Sequence, residues 1–200
     1  MGLTFGKSSS TAPTWILAFL GNPGLEYEYT RHNAGWLTAD ALCKACGAKI
    51  SRLKWSALTG FAEFGGQRVL LMKPQTFMNL SGQAVKPAAD FYKIPAERIV
   101  AVCDDIALPP GKLRVKRGGS DGGHKGLRSI AQCVGSQDFP RIKLGVGAPP
   151  HPDYEIVDWV VGRMSQDDLK SLEDVAGRAV GAMEELISNG VDSAMNKYNG

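Results

Sequence analysis

The hydrophobic residues of this 200-residue chain are grouped in short runs separated by turn residues. Four runs are apolar and rich in β-branched residues without helical spacing, which is typical of buried strands. These runs cover residues 15–20, 68–73, 99–104 and 141–146. Two weaker runs, residues 57–64 and 112–117, predict additional strands that pair antiparallel with the others.

Helical spacing fills most of the intervals between these runs. Residues 33–46, 81–92 and 126–134 are predicted helices, and a strong amphipathic pattern extends from Leu169 to Ile187. Alternation of strand and helix predicts the α/β class, as a single-domain α/β/α layered fold whose helices flank a twisted, mixed, mostly parallel sheet. We expect this domain to span residues 15–200, after a flexible tail of residues 1–14 that is rich in Gly, Ser and Thr.

Composition excludes several classes of protein. The chain is 44% apolar and 22% charged, as ordinary globular proteins are. The apolar run 15–20 is about a third of the roughly 20 residues that span a bilayer, so we expect no membrane anchor. Four cysteines and no export signal predict reduced thiols in the cytoplasm. Cys43 and Cys46 form a C-x-x-C inside a predicted helix without a second pair, and we expect no metal there.

The loop after the first strand contains polar side chains at a position where α/β proteins bind ligands. Parallel sheets bind ligands beyond the carboxyl ends of their strands, and Asn22 and His32 follow the first strand. Asn33 is a predicted cap of the next helix. The positive end of that helix favours a neutral His32 imidazole, which can accept a proton. Taken alone, however, this loop is also compatible with an ordinary turn and a surface histidine.

A carboxylate at the end of the third strand gives His32 a partner. Asp104 directly follows a buried run, where an acid is costly unless it is paired. Among the three histidines of the chain, His32 is the one expected at the same sheet edge, so we predict a His32–Asp104 pair. The chain has no recognisable nucleophile elbow, which favours activated water over a covalent intermediate.

The second predicted strand leads to Phe77 and Asn79. These residues are either part of the site or part of a packed loop.

Positive charge is concentrated in one segment. Lys112, Arg114 and Lys116 alternate with apolar residues, so a strand places the three cations on one face. Residues 105–150 contain eight cations and three carboxylates, a net charge of +5 against +3 for the whole chain. The cations are Lys112, Arg114, Lys116, Arg117, Lys125, Arg128, Arg141 and Lys143. A polyanion would relieve their repulsion, although a solvated strand face remains the alternative.

A glycine-rich segment, residues 118–127, leads into the predicted helix 126–134. Backbone N–H groups in such a turn are suited to bind phosphate. The segment matches neither the Walker pattern nor the dinucleotide fingerprint. We therefore predict that the chain binds neither ATP nor NAD.

Four separated blocks of the chain resemble bacterial-type peptidyl-tRNA hydrolases in order and spacing, over about residues 15–199. The blocks contain Gly21-Asn22-Pro23-Gly24 with Thr30-Arg31-His32-Asn33, Thr76-Phe77-Met78-Asn79-Leu80-Ser81-Gly82, Asp104-Asp105 with Leu108-Pro109-Pro110-Gly111, and Gly122-Gly123-His124-Lys125-Gly126. The resemblance implies hydrolysis of the ester between a peptide and the 3′ end of tRNA, which recovers tRNA after premature ribosome drop-off. It further implies a monomeric cytoplasmic enzyme without metal or cofactor.

The resemblance also assigns roles to individual residues. His32 is the expected general base, Asp104 keeps it basic and oriented, and Asn22 helps to distinguish a blocked amino group from a free one. Further residues are expected to contact the substrate or tRNA, namely Tyr27, Phe77, Asn79, Lys112, Arg114, Lys116, Lys125 and Arg141. Lys125 stands where the family usually has Asn, and a lysine there can meet a phosphate.

Two other functions are compatible with parts of this pattern. A non-catalytic RNA-binding relative, like the splicing factors that share this fold, would also have the basic face. Such a protein would not need His32 and Asp104 together. A hydrolase or peptidase acting on small molecules would need the pair but not the excess of cations.

Overall fold

The computed structural model describes residues 12–199, which form one seven-stranded sheet between two layers of helices. The strands are β1 (Trp15–Phe19), β2 (Arg52–Lys54), β3 (Ala57–Phe64), β4 (Gln67–Pro74), β5 (Ile99–Asp105), β6 (Leu113–Lys116) and β7 (Arg141–Gly145). The helices are α1 (Ala34–Cys46), α2 (Ser81–Tyr92), α3 (Lys125–Val134), α4 (Ile156–Val161), α5 (Gln166–Asn189) and α6 (Val191–Tyr198). In space the strands follow the order β2-β3-β4-β1-β5-β7-β6.

The centre of the sheet is parallel and its two sides are antiparallel. β1 pairs parallel with β4 and β5, and β5 pairs parallel with β7. β3 pairs antiparallel with β2 and β4, and β6 pairs antiparallel with β7. All six predicted strands are confirmed, including the antiparallel additions. Four parallel strands therefore bring their carboxyl ends to one edge of the sheet.

Alternation along the central strands divides the core into two layers. Leu17 and Val100 pack on the side of α1, α5 and α6, whereas Ile16 and Ala101 pack on the side of α2 and α3. Because both faces of these strands are covered, they are apolar at successive positions rather than at every second one. The α/β/α arrangement predicted from the sequence is confirmed.

Three elements escaped the sequence analysis, namely β2, α4 and α6. β2 has three residues and α4 has six, so neither is long enough to show a period. The long amphipathic helix is confirmed as α5, whose first turn is capped by Ser165 through the Asp168 N–H at 3.1 Å. Gly190, with φ of 93°, ends α5 and starts α6. Within residues 12–199, no helix combines the length and apolarity needed to cross a membrane.

Both ends of the described range are attached to the sheet. The Thr14 N–H donates to the Arg68 carbonyl at 2.9 Å beside the start of β1. Residues 1–11, most of the tail expected at 1–14, lie outside the described residues. At the other end, the Asn199 side chain accepts from the Val115 N–H at 2.6 Å and donates to the Val115 carbonyl at 3.0 Å. The Asn199 side chain therefore bonds to both backbone polar groups of one residue in β6, the edge strand of the sheet.

Gly35 sets how closely α1 approaches the sheet. A Cβ atom at this position would lie 2.4 Å from the Leu20 carbonyl oxygen and 2.5 Å from that of Val102. Only glycine allows the helix to start directly against the carboxyl ends of β1 and β5. The turn before α1, which contains His32, is thereby placed over the end of β5.

Candidate active site

A cavity of about 390 Å³ opens at the carboxyl ends of the parallel strands. Its lining brings together six of the predicted site residues: Asn22, His32, Phe77, Asn79, Asp104 and Lys125. The opposite wall is apolar and contains Ile156, Val157, Val160 and Val161. Phe77 is 56% exposed, so it serves as an open surface of the cavity rather than as core. Polar groups that converge beside apolar walls are typical of a substrate site.

His32 and Asp104 lie in direct contact at the base of this cavity. His32 Nδ1 is 2.9 Å from Asp104 Oδ1, and Asp104 is 3% exposed. The predicted contact between these side chains is therefore present. A carboxylate accepts the Nδ1 proton, which leaves the His32 Nε2 lone pair available as a base.

A second histidine, His124, contacts the same carboxylate oxygen. His124 Nε2 is 3.1 Å from Asp104 Oδ1, and the two imidazole centroids are 5.0 Å apart. No role for His124 was predicted from the sequence. The one available signal was its position directly before a predicted helix, in a loop that returns to the same sheet edge.

The two histidines keep Asp104 ionised. Burial alone would raise the pKa of this carboxyl, but His32 and His124 lower it, and the resulting pKa lies well below the usual range of aspartate. The site therefore holds a buried negative charge that faces two imidazoles.

Asn22 is fixed by its neighbours with its amide oxygen occupied. Asn22 Oδ1 accepts from the Met78 N–H at 2.7 Å. The Asn33 side chain accepts from the Asn22 N–H at 2.7 Å and donates to the Asn22 carbonyl at 3.0 Å. Asn33 stands at the predicted N-cap position of α1, but its side chain makes these bonds instead of a hydrogen bond to the helix. Among residues 12–199, no acceptor binds Asn22 Nδ2, so this donor is available to a ligand.

Arg31 connects the turn that contains His32 to the apolar wall of the cavity. Its guanidinium carbon lies 3.5 Å from the centroid of the Trp159 ring in α4. Its Nη2 donates to Asp168 in α5 at 3.1 Å. Arg31 is 6% exposed. This buried side chain therefore links the turn that contains His32 to the apolar wall of the cavity.

The basic strand has the predicted alternation. Leu113 and Val115 are buried, whereas Lys112, Arg114 and Lys116 are exposed. None of these three cations forms an ion pair with a residue in the range 12–199. Other cations of the segment are paired: Lys143 with Asp105, Arg117 with Asp192 and Arg128 with Asp121. Lys112, Arg114 and Lys116 thus offer a positive face to an external anion.

Two of the predicted contact residues lie outside this arrangement. Arg141 is 1% exposed, stacks 4.3 Å from the Phe139 ring centroid and donates to the Gln137 carbonyl. It is placed inside the protein rather than on the predicted tRNA surface, because its face of β7 is covered by the glycine-rich loop near Gly119. Tyr27 is half-buried and does not line the cavity.

The glycine-rich loop uses its helix terminus for an internal bond. His124 Nδ1 accepts from the N–H groups of Gly126 at 3.2 Å and Leu127 at 3.3 Å. These first-turn amides are the donors that we expected to bind phosphate. That expectation is wrong for these two amides, because an imidazole of the protein itself occupies them.

The cluster of His32, Asp104 and His124 resembles a metal site in its spacing alone. One ligand atom from each residue lies within 4.8 Å of the other two. Coordination through His124 Nε2 would require the proton on Nδ1, where it would face the N–H groups of Gly126 and Leu127. The donor set therefore suits a network of hydrogen bonds better than a metal ion.

Comparisons with known proteins agree with this geometry. The family model described as peptidyl-tRNA hydrolase matches residues 16–200. The peptidyl-tRNA hydrolase of Caldanaerobacter subterraneus subsp. tengcongensis is 47% identical over 186 residues, 93% of this chain and 100% of the relative. That of Carboxydothermus hydrogenoformans is 45% identical over 185 residues, 92% of this chain and 98% of the relative.

A solved structure extends the similarity to the fold. The crystal structure of peptidyl-tRNA hydrolase from Acinetobacter baumannii superimposes with a TM-score of 0.87 at 33% identity, covering 96% of this chain and 97% of that one. The residues that the family model matches include both His32 and Asp104. This chain belongs to the peptidyl-tRNA hydrolase family.

Proposed function

We propose that this protein hydrolyses the ester between peptide and tRNA with water activated by His32. The observation that supports this most directly is the contact of 2.9 Å between His32 Nδ1 and the buried Asp104 carboxylate, inside a cavity at the strand ends. A buried carboxylate that holds the Nδ1 proton makes Nε2 the basic nitrogen and stabilises the imidazolium formed when Nε2 accepts a proton.

The reaction follows from this arrangement. A water molecule gives a proton to His32 Nε2 as its oxygen attacks the ester carbonyl carbon. The resulting tetrahedral intermediate breaks its bond to the 3′ oxygen of tRNA, and the imidazolium returns the proton to that leaving oxygen. The products are a peptide carboxylic acid and tRNA, and His32 is again neutral.

Asn22 supplies selectivity for the peptidyl form. Its Nδ2 group lines the cavity beside His32 and is available to donate a hydrogen bond. A peptidyl-tRNA offers a carbonyl oxygen on the blocked amino group, whereas a free aminoacyl-tRNA offers an ammonium group, which is itself a donor. A donor facing a donor disfavours the free form.

The tRNA surface continues from the cavity to the basic strand. Phe77, Asn79 and Lys125 line the cavity. We expect Phe77 and Asn79 to contact the terminal adenosine or the peptide, and Lys125 to meet a phosphate. The exposed cations of β6 suit the phosphates of the acceptor stem. The protein would act on tRNA as a monomer in the cytoplasm, recovering tRNA for translation from the peptidyl-tRNA that is released by premature ribosome drop-off.

A hydrolysis assay with two substrates tests the function. We expect N-acetyl-aminoacyl-tRNA to be cleaved at least about a hundredfold faster than the same free aminoacyl-tRNA, because only the acetylated form offers Asn22 an acceptor. Release of the labelled amino acid from tRNA measures both rates. Equal rates for the two substrates would contradict the proposed hydrolase function. Tight tRNA binding without turnover would indicate the non-catalytic RNA-binding relative. The intact His32–Asp104 contact does not favour that alternative.

Substituting Lys112, Arg114 and Lys116 together with glutamine tests the basic strand. We expect weaker tRNA binding and a shallower dependence of log Kd on log salt, by up to about 3 in slope, because each phosphate contact releases about one counterion. Filter binding over a range of salt concentrations measures this change.

The matched control replaces three exposed cations at the opposite side of the sheet, Lys44, Lys49 and Arg52, with glutamine. This control removes the same charge, but from the opposite side of the sheet. We therefore expect its affinity for tRNA to fall much less and its salt slope to stay near that of the parent. If both variants changed alike, tRNA would respond to net charge rather than to the strand β6.

A further inference from the structure

His124 links the first turn of α3 to the catalytic carboxylate through its two ring nitrogens. Nδ1 accepts from the N–H groups of Gly126 and Leu127, and Nε2 lies 3.1 Å from Asp104 Oδ1. The His124 side chain is 8% exposed and Asp104 is 3% exposed, so water competes little for these bonds. The usual helix caps are Ser, Thr, Asp and Asn, which cannot span from a helix terminus to a second partner in this way.

These contacts determine the tautomer of His124. Two backbone N–H groups point at Nδ1, so this nitrogen must present its lone pair. The ring proton is therefore on Nε2 and points at Asp104. Because two backbone N–H groups of α3 hold Nδ1, the imidazole ring cannot turn freely. The direction of its Nε2–H group is therefore fixed by the helix.

His124 and His32 donate to one and the same oxygen of Asp104. A carboxylate with a single donor can rotate about its Cβ–Cγ bond and move its oxygens out of line with that donor. A second donor anchored to α3 selects the rotation in which Oδ1 meets both imidazoles. This rotation keeps the His32 proton on Nδ1 and its lone pair on Nε2.

We propose that His124 is a positioning residue for the hydrolytic reaction, holding Asp104 in the orientation that keeps His32 in its basic tautomer. The proposal rests on the proposed role of His32 as general base. It assigns His124 no contact with the reacting atoms and no proton transfer. Its effect on the reaction passes through Asp104 alone.

Two substitutions separate this role from simple capping, because the two roles use different ring nitrogens. The amide oxygen of asparagine lies near the position of Nδ1, so His124→Asn keeps the cap and loses the donor to Asp104. The amide nitrogen of glutamine lies near the position of Nε2, so His124→Gln keeps the donor and loses the cap.

We expect the two variants to show opposite losses. His124→Asn should lower kcat about 10- to 100-fold with little change in KM and Tm, because the base is misoriented while substrate contacts remain. His124→Gln should retain most of kcat and lose about 2–4 °C in Tm, as expected for a lost helix cap in a chain of this size. Steady-state hydrolysis of N-acetyl-aminoacyl-tRNA and thermal unfolding measure these quantities.

A spectroscopic readout tests the orientation independently of turnover. The ¹⁵N chemical shifts of His32 should report a proton on Nδ1 in the parent and in His124→Gln. In His124→Asn they should move toward a mixture of the two tautomers. This measurement responds to the orientation of Asp104 and does not depend on stability.

The outcomes separate this inference from the proposed function. Full activity and an unchanged His32 tautomer in His124→Asn would overturn the positioning role. Activity that falls in both variants in proportion to Tm would overturn it as well and leave His124 as a cap. A His32→Ala variant that still turns over would instead overturn the proposed function, whatever the His124 variants do.

Discussion

Replacing His32 with alanine should lower kcat for peptidyl-tRNA by about 10²- to 10⁴-fold, the usual contribution of a general base. In the cluster of His32, Asp104 and His124, the His124 Nδ1 lone pair already accepts from backbone N–H groups. The His32 Nε2 lone pair can accept a proton from water, and the variant lacks it. The side chain contacts the cavity rather than the main core, so the protein should remain folded and bind tRNA. Single-turnover hydrolysis, circular dichroism and tRNA binding measure the three properties.

His151 provides the matched control for this prediction. It is the remaining histidine of the chain, is exposed, and does not line the cavity. His151→Ala should hydrolyse the substrate at the parent rate. Parent-like turnover in His32→Ala would remove His32 from the mechanism.

Replacing Asp104 with asparagine should lower kcat by about 10³- to 10⁴-fold while tRNA binding is retained. The neutral amide no longer stabilises the imidazolium of His32. It also has an N–H group that can face His32 Nδ1 and move the ring proton to Nε2. Rates for Asp90→Asn, a change of the same kind in the exposed Lys86–Asp90 pair, should match the parent. An Asp104→Asn enzyme as fast as the parent would contradict the supporting role of this carboxylate.

The pH dependence of stability gives a second readout of Asp104. The pKa of Asp104 in the folded protein lies below the usual value. The folded protein therefore stabilises the ionised carboxylate more than the unfolded chain does. This contribution is complete above the unfolded pKa of about 3.9 and is lost as the pH falls through the folded pKa. The difference in unfolding free energy between parent and Asp104→Asn should therefore shrink below about pH 4, as urea unfolding at several pH values would show.

The parts of this molecule that follow from sequence are those governed by periodicity. The parallel strands are apolar at successive positions because both faces are covered, and this pattern located their ends within one or two residues. Strand ends in a parallel sheet share an edge, and this rule predicted the contact between His32 and Asp104. Short elements such as β2 and α4 have too few residues for a period and could not be predicted.

The details that escaped prediction depend on which neighbour a polar group finds. Asn33 stands at the N-cap position of α1, but its side chain bonds to the backbone of Asn22 instead of to the helix. Arg141 belongs to the basic segment by sequence, yet charge along the chain does not show that a loop covers its face of β7. The role of His124 depends on the direction of two backbone N–H groups, which residue types and spacing do not show.

The side chain of Asn199 has a consequence for how these molecules behave when concentrated. Edge strands expose backbone groups that can template pairing with another chain, and proteins avoid aggregation by blocking them. Asn199 occupies the N–H and carbonyl groups of Val115 on the outer side of β6, in the middle of the basic strand. The backbone at this point is closed to strand addition while the cations on either side stay exposed, so the edge repels a second copy and still presents its charge to tRNA.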